Sequence, residues 1–173
     1  MLVYQAGKYA EAAELYKKAL SGEVGNELND YWLASAYFQS GRRLEAISTW
    51  QKMGARRMAS FFNQKAKEQF KMNEYLAAID LALLAVQIDP TYGLGYYQLG
   101  RAYQDNGNLA EAVSAFEFSL LEDLTAEEKG QVYYQLGLVY QNQGNKPATF
   151  SALNQALDLL PDSDLVRRDL ADE

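Results

Sequence analysis

Gly7, Gly41, Asn73, Gly107 and Gly144 recur along this chain 34, 32, 34 and 37 residues apart. Glycine and asparagine are the residues that tolerate a left-handed backbone at a helix end, and the same apolar frame returns around each of them. It is clearest at Tyr96, Leu99, Gly100 and Tyr103, followed by Ala112 and Phe116. It returns at Tyr133, Leu136, Gly137 and Tyr140, followed by Thr149, Leu153, Ala156 and Pro161, and at Leu33, Ala34 and Tyr37, followed by Ala46 and Trp50. A weaker copy runs through Ala66, Gln69, Ala78, Ala82, Ala85 and Pro90, and a half copy through Val3, Ala12, Tyr16 and Ala19. A fixed period of this length is the mark of a stack of identical supersecondary units. None of these can bury its apolar face alone.

Within each unit the apolar offsets repeat at three and four residues, which places them on one face of a helix. The small residue (Ala34, Ala66, Gly100, Gly137) allows a second helix to approach closely. The small residue of that second helix (Ala12, Ala46, Ala78, Ala112, Thr149) repeats the arrangement, with a bulky residue four later. Pro90 and Pro161 follow the ends of second helices, and Pro147 falls in a first turn, where proline is tolerated. The pattern predicts helices over 1–5, 9–21, 28–40, 43–54, 58–71, 75–88, 93–106, 109–122, 126–143 and 146–160. Thr125, with Glu128 three residues on, reads as a helix cap. Ser163 can cap a last segment, 164–171.

The period and this residue frame resemble the tetratricopeptide repeat, over essentially the whole chain. The resemblance implies an all-α fold: a right-handed superhelical solenoid of antiparallel helix pairs, about five repeats in a single domain over 1–173. The units fall near 1–26, 27–58, 59–92, 93–129 and 130–162, with 163–173 opening a further or capping helix. Lys65, Gln69 and Ala82 in the third unit, Met53 in the second and Thr149 in the fifth depart from the family's preferences. Met1 falls where the middle of a first helix is expected, and Leu170-Ala171 match the start of a sixth unit. The expectation is therefore a piece of a longer array, able to form a homodimer through its open repeat ends.

Composition narrows the chemistry. There is no histidine and no cysteine, which removes the commonest general base, the commonest metal ligand and every thiolate site. No metal or other cofactor is expected, and catalysis is not. The net charge of −7 argues against nucleic acid, whose binders carry a basic footprint. No apolar run is long enough to predict insertion into a membrane. The pairs Arg42-Arg43 and Arg56-Arg57 read as solvated turn residues, and Trp32 and Trp50 as packing.

In the family that the sequence resembles, ligands lie along the concave wall made by the first helices. The matching exposed positions are Tyr31, Ser35, Phe38 and Gln39 in the second unit, and Asn63, Lys67, Phe70 and Lys71 in the third. They are Tyr97, Arg101, Gln104 and Asp105 in the fourth, and Tyr134, Leu138, Gln141 and Asn142 in the fifth. Aromatic rings supply contact area at low entropic cost, and amides can donate to and accept from a peptide backbone. Lys67, Lys71 and Arg101 oppose only Asp105, so an acidic or extended protein or peptide segment is the expected partner. The carboxylate clamp by which some family members grip chaperone tails needs a Lys and an Asn at the first pair of positions. Tyr31 and Ser35 stand there, so that clamp is not expected. The resemblance thus points to a protein-binding scaffold. The alternatives are a regulatory or substrate-recruiting segment of a larger enzyme, and a structural spacer or oligomerisation element.

Overall fold

A computed structural model describes residues 2–20 and 27–172. All regular structure among these is α-helical: α1 (Leu2–Gln5), α2 (Tyr9–Leu20), α3 (Glu27–Gln39), α4 (Arg43–Lys52), α5 (Ala55–Lys71), α6 (Tyr75–Ile88), α7 (Gly93–Asp105), α8 (Leu109–Leu121), α9 (Ala126–Asn142), α10 (Lys146–Leu159) and α11 (Asp164–Ala171). Met1 and the expected extension of the second helix to Ser21 lie outside the described residues. Successive helices pair as antiparallel hairpins, and each hairpin packs on the next.

The five recurring residues close the five hairpins. Gly7, Gly41, Asn73, Gly107 and Gly144 all have positive φ, between 62° and 84°. After each one, the next amide donates to a carbonyl five residues back: Lys8 to Val3, Arg42 to Tyr37, Glu74 to Gln69, Asn108 to Tyr103 and Asn145 to Tyr140, at 2.8–3.2 Å. This satisfies carbonyls that a helix end leaves without partners. Thr125 and Glu128 form the expected reciprocal cap of α9, and Ser163 accepts from the Val166 amide at the start of α11.

The small residues do bring the helices together. A Cβ on Gly100 would lie 2.6 Å from two ring carbons of Phe116, and one on Gly137 would lie 2.6 Å from Leu153. In the third hairpin both facing positions, Ala66 and Ala82, are small and fully buried, and Phe70 packs against that cluster. Ala12, Ala46, Ala78, Ala112 and Thr149 are buried as expected, whereas Ala19 is exposed.

Two helix boundaries need correction. The fourth helix ends at Lys52 rather than 54, and the fifth begins at Ala55 rather than 58. Gly54, at φ 116°, lets the chain reverse in two residues, a backbone that a side chain would strain. This abrupt turn accounts for the 32-residue spacing. It also changes the stacking: α4 packs on α6 as well as α5, and the α3 and α5 backbones do not run side by side as α5 and α7 do. The basic pairs stay largely exposed, as expected of solvated turn residues, and also make ion pairs in this region. Arg42 bridges Glu14 and Glu45 and lies 4.3 Å above the Tyr37 ring. Arg56 Nε donates to Asp89 Oδ2 at 2.7 Å, while Asp89 Oδ1 accepts from the Thr91 amide and hydroxyl. Arg57 donates to Met53 O and Glu27.

Candidate functional site

The helix face that carries the wall positions is set by the frame that buries the core. On α3, Leu33, Ala34 and Tyr37 point inward, which turns Tyr31, Ser35 and Phe38 toward the side. These three are half-buried and Gln39 is exposed. The structure brings all four together on one pocket of about 350 Å³, completed by Tyr4, Arg43, Trp50, Phe62, Asp80, Leu81 and Leu84. Of these, Asp80, Leu81 and Leu84 come from α6, which packs on α4 beyond the reversal at Gly54. The short 32-residue spacing was the one signal in the sequence that could have marked them.

The pocket is lined mostly by rings and aliphatics. Trp50 is 2% exposed and meets Phe62 edge-on at 4.7 Å and Phe38 at 5.8 Å. Its Nε1–H is buried with no partner, an arrangement that costs free energy unless something accepts from it. Arg43 stands 5.4 Å over the Phe38 ring and donates to Gln87. Asp80 supplies a carboxylate on the opposite wall.

In the third unit the expectation fails at Asn63, which is 2% exposed rather than facing solvent. Its amide donates to Tyr92 Oη at 3.4 Å, because the extra first turn of α5 packs against the α6–α7 connection. Its Oδ1 has no partner. Lys67 and Phe70 are half-buried and Lys71 is exposed. Neither lysine is in a salt bridge among the described residues.

In the fourth unit, Arg101 connects two helices. Its guanidinium lies 4.5 Å from the centre of the Phe70 ring and 6.0 Å from that of Tyr97. A guanidinium stacked by its face keeps its N–H edge available for a carboxylate. Burial raises the Tyr97 phenol pKa, and Arg101 opposes the rise. Gln104 has a buried Oε1 without a partner, and Asp105 is exposed.

In the fifth unit, Tyr134 and Leu138 are half-buried, and Gln141 and Asn142 are exposed. Tyr134 is engaged by α11, donating from Oη to Asp169 Oδ2 at 2.7 Å. Burial first, then that bond to Asp169, pushes the Tyr134 phenol up to about 12. The Asp169 carboxyl is lowered, chiefly by the same bond. Both shifts favour the pair as neutral phenol and carboxylate. Its stabilisation is therefore complete between the ordinary carboxylate and phenol ranges. It is lost as acid protonates Asp169, and as base carries the phenol through about 12. Tyr134→Phe is expected to return the Asp169 pKa toward the ordinary range and to cost about 1–3 kcal/mol in docking α11. NMR titration of the carboxyl carbon checks the first, and an unmoved Asp169 would overturn it.

Among the described residues no cluster of carboxylates could hold a metal ion, and no helix is long and apolar enough to cross a membrane.

Models of the tetratricopeptide repeat match residues 3–57, 81–114 and 131–163. A search of curated proteins finds no match. Among solved structures, the chain is similar to the first TPR of Spaghetti (RPAP3) bound to HSP90 peptide SRMEEVD, with 19% identity, 68% of this chain and 90% of that one covered, and a TM-score of 0.63. It is similar to the Sgt2 TPR domain from Aspergillus fumigatus, with 20% identity, 66% and 75% covered, and a TM-score of 0.60. YrrB, described as a TPR protein with an unusual peptide-binding site, shares 20% identity over 97% of this chain and 86% of its own, with a TM-score of 0.60. At these identities the likeness establishes the fold.

Proposed function

Because the chain belongs to the tetratricopeptide repeat family, we propose that it is a non-catalytic scaffold that holds an extended peptide segment of a partner protein along its first-helix wall. The observation that carries this reading is the convergence of Tyr31, Ser35, Phe38 and Gln39 on one aromatic-lined pocket. An apolar anchor fits between Tyr31, Phe38 and Trp50. A backbone carbonyl beside it could accept from the unpaired indole N–H of Trp50, and Gln39 and Ser35 offer further polar partners. Further along the wall, Lys67, Lys71 and the stacked Arg101 favour carboxylates on the same segment. Asn63 has no direct part in this, since its side chain is spent inside the stack; Tyr134 holds α11.

A similar fold is bound to the HSP90 peptide SRMEEVD, which carries three carboxylate side chains, in the RPAP3 structure. The Lys and Asn that the terminal-carboxylate clamp needs at its first pair of positions are replaced here by Tyr31 and Ser35, so recognition would rest on the aromatic pocket instead. Selection from a displayed library of random peptides tests this. Wild type should enrich sequences with one large apolar residue and nearby Asp or Glu. Binding of the enriched peptides should fall roughly 10- to 100-fold in Lys67→Glu/Lys71→Glu/Arg101→Glu, since three screened charges contribute about 0.5–1 kcal/mol each. It should also fall in Phe38→Ala, with helicity by circular dichroism unchanged in both. Equal retention by both variants would remove the wall as the binding site.

A further inference from the structure

Two grooves on the other side of the stack have no part in that reading. On α7, Tyr96, Leu99 and Tyr103 lie nearly half a turn around the helix from Tyr97, Arg101 and Gln104, so they face the second helices. They form the floor of a groove of about 460 Å³ walled by α6 and α8, with Phe118 on its edge. One unit on, Tyr133, Leu136 and Tyr140 repeat that floor between α8 and α10, in a groove of about 310 Å³. Phe118 is 54% exposed and stacks on Tyr96 at 5.6 Å. An exposed aromatic resting on a half-buried one marks an apolar surface left open beside the core.

The charge around these grooves is one-sided. Residues 75–159, from α6 to α10, hold ten carboxylates and three cations, Arg101, Lys129 and Lys146. The carboxylates reach the groove floor. The Tyr103 phenol is raised by burial and then by Glu111 and Asp80, Tyr96 by burial and then by Glu122 and Asp89, and Tyr140 by burial and then by Glu117. Asp89 is held by Arg56. Asp80, Glu111, Glu117 and Glu122 are in no salt bridge among the described residues. The first-helix wall has the opposite character, with Lys67, Lys71 and Arg101.

We propose that this outer face is a second docking surface, which seats a basic amphipathic helix of a partner protein between the second helices of the third to fifth units. Two helices flanking an apolar floor leave the kind of groove into which the ridge of a third helix packs. The apolar stripe of such a helix would rest on Tyr96, Tyr103 and Phe118. Lys or Arg beside the stripe would meet Glu111, which lines the same groove, and Glu117, which lines the next one across α8. The two surfaces would then accept segments of opposite charge at the same time.

The probe is a fluorescent amphipathic helix of leucine and lysine, about 18 residues or five turns long, with a leucine and glutamate version as its counterpart. Fluorescence anisotropy with the whole chain should show binding of the lysine helix only. Glu111→Lys/Glu117→Lys should weaken it about tenfold or more, as should Phe118→Ser, the latter without a change of charge. The same gain of charge at Glu11→Lys/Asp172→Lys, away from the grooves, should leave it within about twofold, and so should the wall variant Lys67→Glu/Lys71→Glu/Arg101→Glu. Equal weakening by the distant pair would reduce the effect to net charge and overturn the proposal. So would unaltered binding by Phe118→Ser, binding of the glutamate helix, or concentration-dependent self-association that the lysine helix does not disrupt.

Discussion

Phe116→Ala is expected to lower the unfolding free energy by about 3–5 kcal/mol in urea denaturation, the usual cost of emptying a fully buried aromatic site. Phe116 is 0% exposed and belongs to the core cluster of the fourth and fifth units. Domains of this kind have only about 5–15 kcal/mol in total. The reason to look beyond this single change is Gly100, whose missing Cβ is the space that the Phe116 ring occupies. In the wild type, Gly100→Ala sets a helix-propensity gain of about 1 kcal/mol against overpacking of about 1–3 kcal/mol. The expected net result is destabilising, because a ring held at 0% exposure cannot step aside. In the Phe116→Ala background the collision is gone, and the same substitution should stabilise by about 1 kcal/mol. A change of sign between backgrounds ties the cost to this contact; destabilisation of equal size in both would sink that account.

Trp50→Ala is expected to cost a similar amount, about 3–5 kcal/mol. It removes the ring that joins Phe38 and Phe62, and with it the back of the α3 pocket. Trp50→Phe separates stability from binding. The smaller ring gives up packing area, but it also removes a buried N–H without a partner, a group whose isolation costs about 1–3 kcal/mol. The expected net loss is about 1 kcal/mol or less. Peptides selected on the wild type should nevertheless bind Trp50→Phe more weakly, since an acceptor that meets the indole N–H loses it. If Trp50→Phe is as unstable as Trp50→Ala, the indole N–H does have a partner. If binding is unchanged in a stable Trp50→Phe, the N–H takes no part in recognition.

The helices were legible because their signals are local. The five left-handed residues, the Thr125 and Ser163 caps and the three-and-four spacing of Leu33, Ala34 and Tyr37 each depend on residues within a turn or two. The faces were legible for the same reason, so the side on which Tyr31, Phe38, Arg101 and Gln104 stand followed from the frame that buries their neighbours. The angle between hairpins was not legible, because it is decided by contacts between residues far apart in sequence. The shift of α5 that buries Asn63 depends on Tyr92, and the pocket depends on Phe62 and Leu84 arriving from the next unit. The partners of the arginine pairs were not legible on the same ground. Arg56 finds Asp89, and Arg42 finds Glu14, only once the stack exists. The outer grooves escaped notice because Tyr96, Tyr103, Tyr133 and Tyr140 were assigned entirely to packing. Helical spacing cannot tell a covered ring from a half-covered one.

A helical stack behaves mechanically as springs in series, where the softest joint takes up most of the deformation. The reversal at Gly54 is such a joint. Two residues connect α4 to α5, and the first helices on either side, α3 and α5, do not run backbone to backbone as α5 and α7 do, touching instead through Arg57 on Glu27 and Phe61 on Tyr31. The restoring force there comes from Arg56 on Asp89 and from Gln51 Nε2 donating to Ile88 O at 3.1 Å. Bending of the stack is therefore expected to concentrate where the aromatic pocket opens. The width of that pocket becomes the coordinate along which the stack flexes, and a segment wedged between Tyr31 and Leu84 would stiffen the molecule from end to end.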